Sequence, residues 1–507
     1  MFRNSTALIL AVLIMLSSFA ACGSAQGTDA PAAGETAAEA DTEPEESGPP
    51  TDDYGREIIP SSLPEDIDLG GKTLTVFYRD DYDSNLTAFE LYAPEENGEI
   101  INDAVFKRNR AVEEKLNVKL NITTPNATDY TAYSNALKNS VTAGDNAFDI
   151  APIHGYYGPS LLSAGYFRNL LDANYIDLSK PWWNSDFIDQ MTIYNALYGA
   201  TGDIALTAAK RVFGMFFNKK LLDEYFPGTD LYEEVRQGKW TIDRFGDLIK
   251  DAYRDLNGDS VRDSSDFYAW FVPTASIPID TLEEALEIPI TSKNADGIPE
   301  IVYNGQKTAE AYNKVYNMIF GNDGVYAGEY TYASILEARD AFVKGDEIFL
   351  IDIFEATETM REMEDDYGVL PIFKWDESQE KYKTAVQDVY SIFVISTVTP
   401  DPDAASAVME SMAENSYLGV TPEYFEIALK QKYARGDSDA EMYDIILAGR
   451  GFNFGVVYSE ALGDLIHQWR VLLDGRKDNW QSTIDKKMSG AEKKLTKLLD
   501  KLEALGD

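Results

Sequence analysis

Lys72-Thr-Leu-Thr-Val-Phe-Tyr78, Ile101 to Leu116, Asn117 to Thr123, Tyr133 to Val141 and Phe148-Asp-Ile-Ala-Pro-Ile153 follow one another with short gaps, and their periods decide the fold. Leu74, Val76 and Tyr78 alternate with their neighbours, as do Val118, Leu120 and Ile122, which is the period of a strand. Ala104, Val105, Val112 and Leu116 form one helical stripe, with Asn102 placed to cap its start. A shorter amphipathic helix ends near Gly144, a third strand runs from Phe148 to Ile153, and Leu161 to Leu171 is again helical. Strand, helix, strand, helix, strand with crossovers of this length predicts right-handed parallel connections and an α/β sheet. Ligands of such sheets bind beyond the carboxyl ends of the strands, here Tyr78 to Asp81 and His154 to Tyr157.

The later chain repeats this style. Val212 to Asn218 is a buried apolar run, and Thr241 caps a helix whose stripe is Ile242, Phe245, Leu248, Ile249, Ala252 and Tyr253. Glu347 to Ile353 and Ser391 to Ser396 read as strands, while Asp403 to Ala413 and Ser489 to Leu505 read as amphipathic helices. A chain of 507 residues is too long for one ordinary core. Its 44% hydrophobic and 26% charged content is that of a globular protein, which excludes disorder throughout. The net charge of −42 argues against nucleic acid as a partner, because phosphate binding needs a basic footprint.

The N-terminus reads as an address. After Arg3, the apolar run Ala7 to Leu16 is too short to span a bilayer but fits a secretory signal peptide over residues 1–21. Ala20-Ala21 ahead of Cys22 resembles a bacterial lipobox, although Phe19 stands where Leu is usual. That resemblance implies lipidation at Cys22, the lone cysteine, and hence an extracytoplasmic protein anchored to the membrane. Residues 22–70 hold 13 acids and one Arg, the composition of a solvated tether.

Six further segments stand in an order that resembles the extracellular solute-binding proteins of ABC importers, the carbohydrate-binding type related to maltose-binding protein. They are Asp103 to Val118, Ala143 to Ile150, Gly214-Met-Phe-Phe-Asn-Lys-Lys-Leu-Leu222, Gly238-Lys-Trp-Thr-Ile-Asp-Arg-Phe245, Phe342 to Leu350 and Gly368-Val-Leu-Pro-Ile372. The resemblance implies an α/β, two-lobed periplasmic-binding-protein-like fold with discontinuous lobes and the ligand in the cleft between them. It implies one lobe from 72–205 plus 335–393 and the other from 210–332 plus 397–507, with hinge strands near Ile204–Phe217 and Val389–Ser396. It also implies a monomer that closes on a carbohydrate and delivers it to the transmembrane subunits of an ABC permease, without catalysis.

Asp255, Asn257, Asp259, Asp263 and Asp266 fall at the first, third, fifth, ninth and twelfth positions of an EF-hand-like loop, with the Val261 carbonyl at the seventh. Alternate residues of a tight loop can converge on Ca²⁺, a hard cation that takes six to eight oxygens. Ser260 in place of the turn glycine and Asp266 in place of a longer Glu both weaken the match.

A sugar needs rings for its C–H faces and fixed polar groups for its hydroxyls. Trp182 and Trp183, adjacent indoles in a turn-like context, are the sharpest candidates, followed by Tyr156 and Tyr157 after a parallel strand. Trp270, Phe271, Tyr390 and Tyr78 are further ring candidates, and Asp352, Asp388 and Asp203 are candidate hydroxyl acceptors. A peptide ligand on the same fold remains open at this point. A secreted glycan-active enzyme is the weaker alternative, since no motif singles out a catalytic pair of carboxylates.

Overall fold

The computed structural model describes residues 51–52, 56–80, 88–127, 129–361, 363–426 and 436–506. Cys22, the signal-peptide segment and most of the acidic tether lie outside them. Among the described residues, no helix is long and apolar enough to cross a membrane.

The first sheet contains β1 (Lys72–Phe77), β2 (Val118–Thr123), β3 (Ile150–His154) and a late strand, β12 (Ser391–Ile395), in the order β12-β3-β1-β2. β1 pairs in parallel with β2 and β3, as the crossover lengths predict, whereas β12 runs antiparallel to β3. Helices α1 (Ile100–Leu116) and α2 (Tyr130–Ala143) are the crossovers. Glu99, rather than Asn102, caps α1 by accepting from the Ile101 and Asn102 amides; the helix begins a residue earlier than the apolar stripe indicates. Both helices stop in the left-handed region, α1 at Asn117 and α2 at Gly144, two residue types that tolerate it.

The second sheet has the order β11-β4-β10-β6-β5, with β9 beside β6. Its strands are β4 (Phe213–Asn218), β5 (Tyr253–Arg254), β6 (Phe267–Pro273), β9 (Val325–Gly328), β10 (Glu347–Ile353) and β11 (Tyr367–Leu370). A small hairpin, β7 (Thr291–Lys293) with β8 (Pro299–Ile301), stands apart. Every residue of β4, β6 and β10 is buried, so apolar runs rather than alternation mark these strands. Helices α3 (Ser276–Ala285), α4 (Gln306–Phe320) and α5 (Tyr332–Lys344) belong to this half, as do α7 (His467–Asp474) and α8 (Trp480–Gly506).

The two lobes are indeed discontinuous, but the chain divides differently from the expected ranges. β10 pairs antiparallel with β4 and parallel with β6, and β11 pairs with β4, so residues 347–370 belong to the second sheet. The helix α6 (Pro402–Asn415) packs on α1 in the first lobe, and Ser416–Val420 also packs there, whereas Asp437–Ala448 packs on β11. The physical reason is the backbone ladder: β12 completes the first sheet, and α6 follows it directly. The crossing segments run side by side, with Val212 bridged to Val386 and the Gln387 amide donating to the Arg211 carbonyl at 2.8 Å.

The tether is also shorter than its composition implies. Leu63 is buried, Ser62 donates to Glu410, and Arg56 donates to the Tyr417 carbonyl at 2.8 Å. Residues 56–70 are therefore anchored to the first lobe at Arg56, Ser62 and Leu63, while most of the segment stays exposed.

Candidate functional site

β3 ends at His154, and the chain turns through Gly155 and Tyr156 into the gap between the lobes. A Cβ at Gly155 would lie 2.7 Å from the Tyr390 ring and 2.8 Å from the Asp388 carbonyl, so only glycine lets the strand end approach the crossing segment this closely. Beyond it lies a narrow cavity with about 50 Å³ of free interior space. Tyr156 contributes from the first lobe, Gln387, Asp388 and Tyr390 from the crossing segment, and Asp280, Glu283, Glu284, Phe452 and Arg470 from the second lobe.

The cavity walls are partly fixed. The Tyr156 hydroxyl donates to Asp464 across the lobes at 2.5 Å, and its ring stacks on His467 with centroids 5.3 Å apart. Tyr390 meets Phe452 edge to face at 5.3 Å. The Arg470 Nε lies 2.8 Å from Asp280. Burial pushes the Asp280 and Glu284 carboxyls up to about 7, opposed at Asp280 by the Arg470 charge and at Glu284 by Lys383. Burial raises Glu283 further, although Tyr303 donates to it, and also raises Asp388. The His467 imidazole is held down to about 4, by burial first and then by the neighbouring Arg470 charge. These rings and acceptors could cover a sugar face and receive its hydroxyls.

Of the expected ligand residues, the structure gathers Tyr156, Tyr390 and Asp388 at this cavity. Tyr157 packs beside them, stacked on Tyr130 at 3.6 Å and 4°. The others do not reach it. Trp182 and Trp183 are buried, and both indoles donate to one carboxylate, Glu410, at 3.0 and 2.8 Å. They hold a loop of the first lobe together and present no face for a sugar at this cavity. Trp270 and Phe271 sit within β6, in the core of the second lobe. Asp352 is buried in a bidentate pair with Arg339 at 2.7 and 2.8 Å. Tyr78 packs on Tyr92 with centroids 5.1 Å apart. Asp203 borders a second, more polar cavity, where Thr421 donates to it at 2.5 Å and burial pushes its carboxyl up to about 6.

Sequence reasoning missed Asp280, Glu283, Glu284, Phe452 and Arg470. The spacing of the three acids was a usable signal, because residues three and four apart share a helix face.

In the 255–266 loop, Asp255 accepts from the Gly258 and Ser260 amides at 2.6 and 2.9 Å, and Asp259 accepts from the Val261 amide at 2.7 Å. Asp263 accepts from Ser265, and Asp266 from Leu256 and Tyr253. Among the described residues, no three His, Cys, Asp or Glu side chains are grouped as a metal ion would need. The donor set suits calcium chemically, but its arrangement is that of turns closed by their own amides.

By sequence, no family model and no curated protein matches this chain. By structure, it resembles an ABC substrate-binding protein of Listeria monocytogenes in complex with cycloalternan, at 14% identity and TM-score 0.52, over 85% of this chain and 99% of that one. It also resembles UspC of M. tuberculosis, at 15% identity and TM-score 0.54, over 83% of this chain and 100% of that one. A third likeness is to the maltose-binding periplasmic protein MalE of Listeria monocytogenes in complex with maltose, at 16% identity and TM-score 0.52, over 84% and 98%. At these identities the likeness is one of fold: two α/β lobes with a cleft between them.

Proposed function

We propose that this chain, which has the two-lobed fold of ABC solute-binding proteins, captures a carbohydrate in its interlobe cleft and delivers it to an ABC permease. The observation that carries this reading is the cavity itself. It lies beyond the carboxyl end of β3, between the lobes and against the crossing segments, with Tyr156, Tyr390 and Phe452 as rings and carboxyl groups as acceptors. The solved structures of like fold include complexes with cycloalternan and with maltose, which favours a sugar over a peptide. Holding and releasing the sugar requires no bond to be broken, so the protein acts as a binder and not as an enzyme.

The signal-like run before Cys22 supports export, cleavage and a lipid anchor, with the acidic stretch that follows holding the body off the membrane. The 255–266 loop is proposed to bind Ca²⁺ in a structural role, through Asp255, Asn257, Asp259, the Val261 carbonyl, Asp263 and Asp266. A carboxylate oxygen that accepts one amide keeps a second lone pair for a cation, but the side chains must turn inward to share it.

Isothermal titration of the purified chain with oligosaccharides tests the main reading. Binding that is lost in the Tyr156→Ala/Tyr390→Ala variant, with the melting transition retained, is the expected result. Sugar affinity unchanged in that variant would move the site elsewhere.

A further inference from the structure

The cleft carries more negative charge than a neutral sugar requires. Asp280, Glu283 and Glu284 of α3 and Asp388 of the crossing segment line it, with Arg470 as the cation among the lining residues. Arg470 is already engaged by Asp280 at 2.8 Å and by the Tyr330 hydroxyl at 3.2 Å. Arg211, near the crossing segment, is held by Glu355 at 3.0 Å and by Gln387 at 3.0 Å.

Glu283 supplies an independent observation. It is 4% exposed, its Oε1 accepts from the Tyr303 hydroxyl, and its Oε2 has no hydrogen-bond partner among the described residues. Folded proteins seldom leave a buried acceptor unsatisfied, so an orphan oxygen in a cavity wall points to a donor that arrives with the ligand. The backbone also makes room for the next acid. A Cβ at Gly451 would lie 1.9 Å from the Glu284 Oε1, so a larger residue there would push this carboxyl out of its present place.

Three kinds of sugar can be weighed against these groups. A sugar phosphate or uronate would add repulsion. A neutral sugar offers hydroxyl donors but leaves the charge uncompensated. A protonated amine brings several N–H donors together with the missing positive charge, and charge-assisted hydrogen bonds are the strong ones. Burial is the largest cause of the raised carboxyl groups of Asp280, Glu283 and Glu284, and the charges of Arg470 and Lys383 offset it only in part, which leaves room for a further cation.

We infer that the interlobe cleft takes a glycan carrying a protonated amine, seated against Glu283 and Glu284, with Tyr156 and Phe452 beside the sugar ring. The inference rests on the carbohydrate-binding reading above and specifies the class of sugar.

Titration calorimetry of the full chain at pH 7 tests it with matched probes. These are a glucosamine trimer, its fully N-acetylated form, cellotriose, the monosaccharides glucosamine and galactosamine with their N-acetyl forms, and spermidine. The expected result is that at least one free-amine sugar binds tenfold or more tighter than its N-acetyl counterpart. The Glu283→Gln/Glu284→Gln variant should lose most of that preference. The wild-type comparison stands even if this variant fails to fold. Equal or tighter binding of cellotriose or the N-acetyl forms would overturn the amine inference and leave the carbohydrate reading standing. Binding of spermidine with no sugar bound would overturn both, and binding of no amine probe would overturn the inference.

Discussion

Glu410 is the best place to test the physical account of the first lobe. Its carboxylate lies within α6 and accepts from Trp182, Trp183 and Ser62 and, at 3.3 Å, from the Asp177 amide. Burial pushes this carboxyl up, and the bonds from Ser62 and the two indoles pull it back. Glu410→Ala would leave both indole N–H groups buried without an acceptor. At about 1–3 kcal/mol for each orphaned donor, the loss is about 4 kcal/mol. A unit of this size shifts by about 2–4 °C per kcal/mol, so the melting temperature should fall by about 8–16 °C. Glu410→Gln keeps one acceptor oxygen and turns an amide donor toward the other indole, so about half that loss is expected. The assay is thermal melting with denaturant titration, alongside ligand titration on the folded variant, whose affinity should stay within about twofold because Glu410 is not at the cleft. A melting temperature within about 2 °C of the parent would refute the reasoning.

Other predictions follow from the same physics. Asp280 and Glu284 ionise near 7 in the folded chain but near 4 when unfolded, so the folded state holds extra protons between these values. Their contribution is full below about pH 4 and is lost as pH rises through 7, so ligand-free stability from these groups should decline from pH 5 to 8. His467, held down to about 4, works in the opposite sense below its ordinary value, so the comparison is with Asp280→Asn/Glu284→Gln, in which the decline should flatten. Equal pH slopes in the two proteins would contradict this. Asp352→Ala strands Arg339 in the second lobe and should cost about 3–5 kcal/mol by denaturant unfolding, while Asp352→Ala/Arg339→Met should recover part of it. Millimolar Ca²⁺ should raise the melting temperature and Asp255→Ala should abolish the rise; no change with Ca²⁺ would end the calcium proposal.

Much of the fold was readable because the strands are apolar runs with sharp polar ends and the first helices carry clean stripes. Lobe membership was not, because β10 and β12 look alike as buried strands, and only distant ladders assign β10 to β4 and β12 to β3. Position alone pointed to part of the cavity lining: Tyr156 follows a parallel strand, and Asp388 and Tyr390 lie on a crossing segment. Chemistry alone did not show that Trp182 and Trp183 are buried on Glu410, since that partner lies 228 and 227 residues further along the chain, on a helix that reads as an ordinary amphipathic one. The spacing that puts the acids of α3 on one helix face was a usable signal, but a diluted one among 86 acidic residues.

The central claim is best tested by melting the purified chain against oligosaccharides, monosaccharides and short peptides, followed by recovery and analysis of each ligand. A ligand at a hundredfold excess over its Kd adds about 2.7 kcal/mol to the native state. The account predicts a clear upward shift with one class of sugar and recovery of that sugar intact. A shift with peptides alone, or a sugar consumed during incubation, would contradict it.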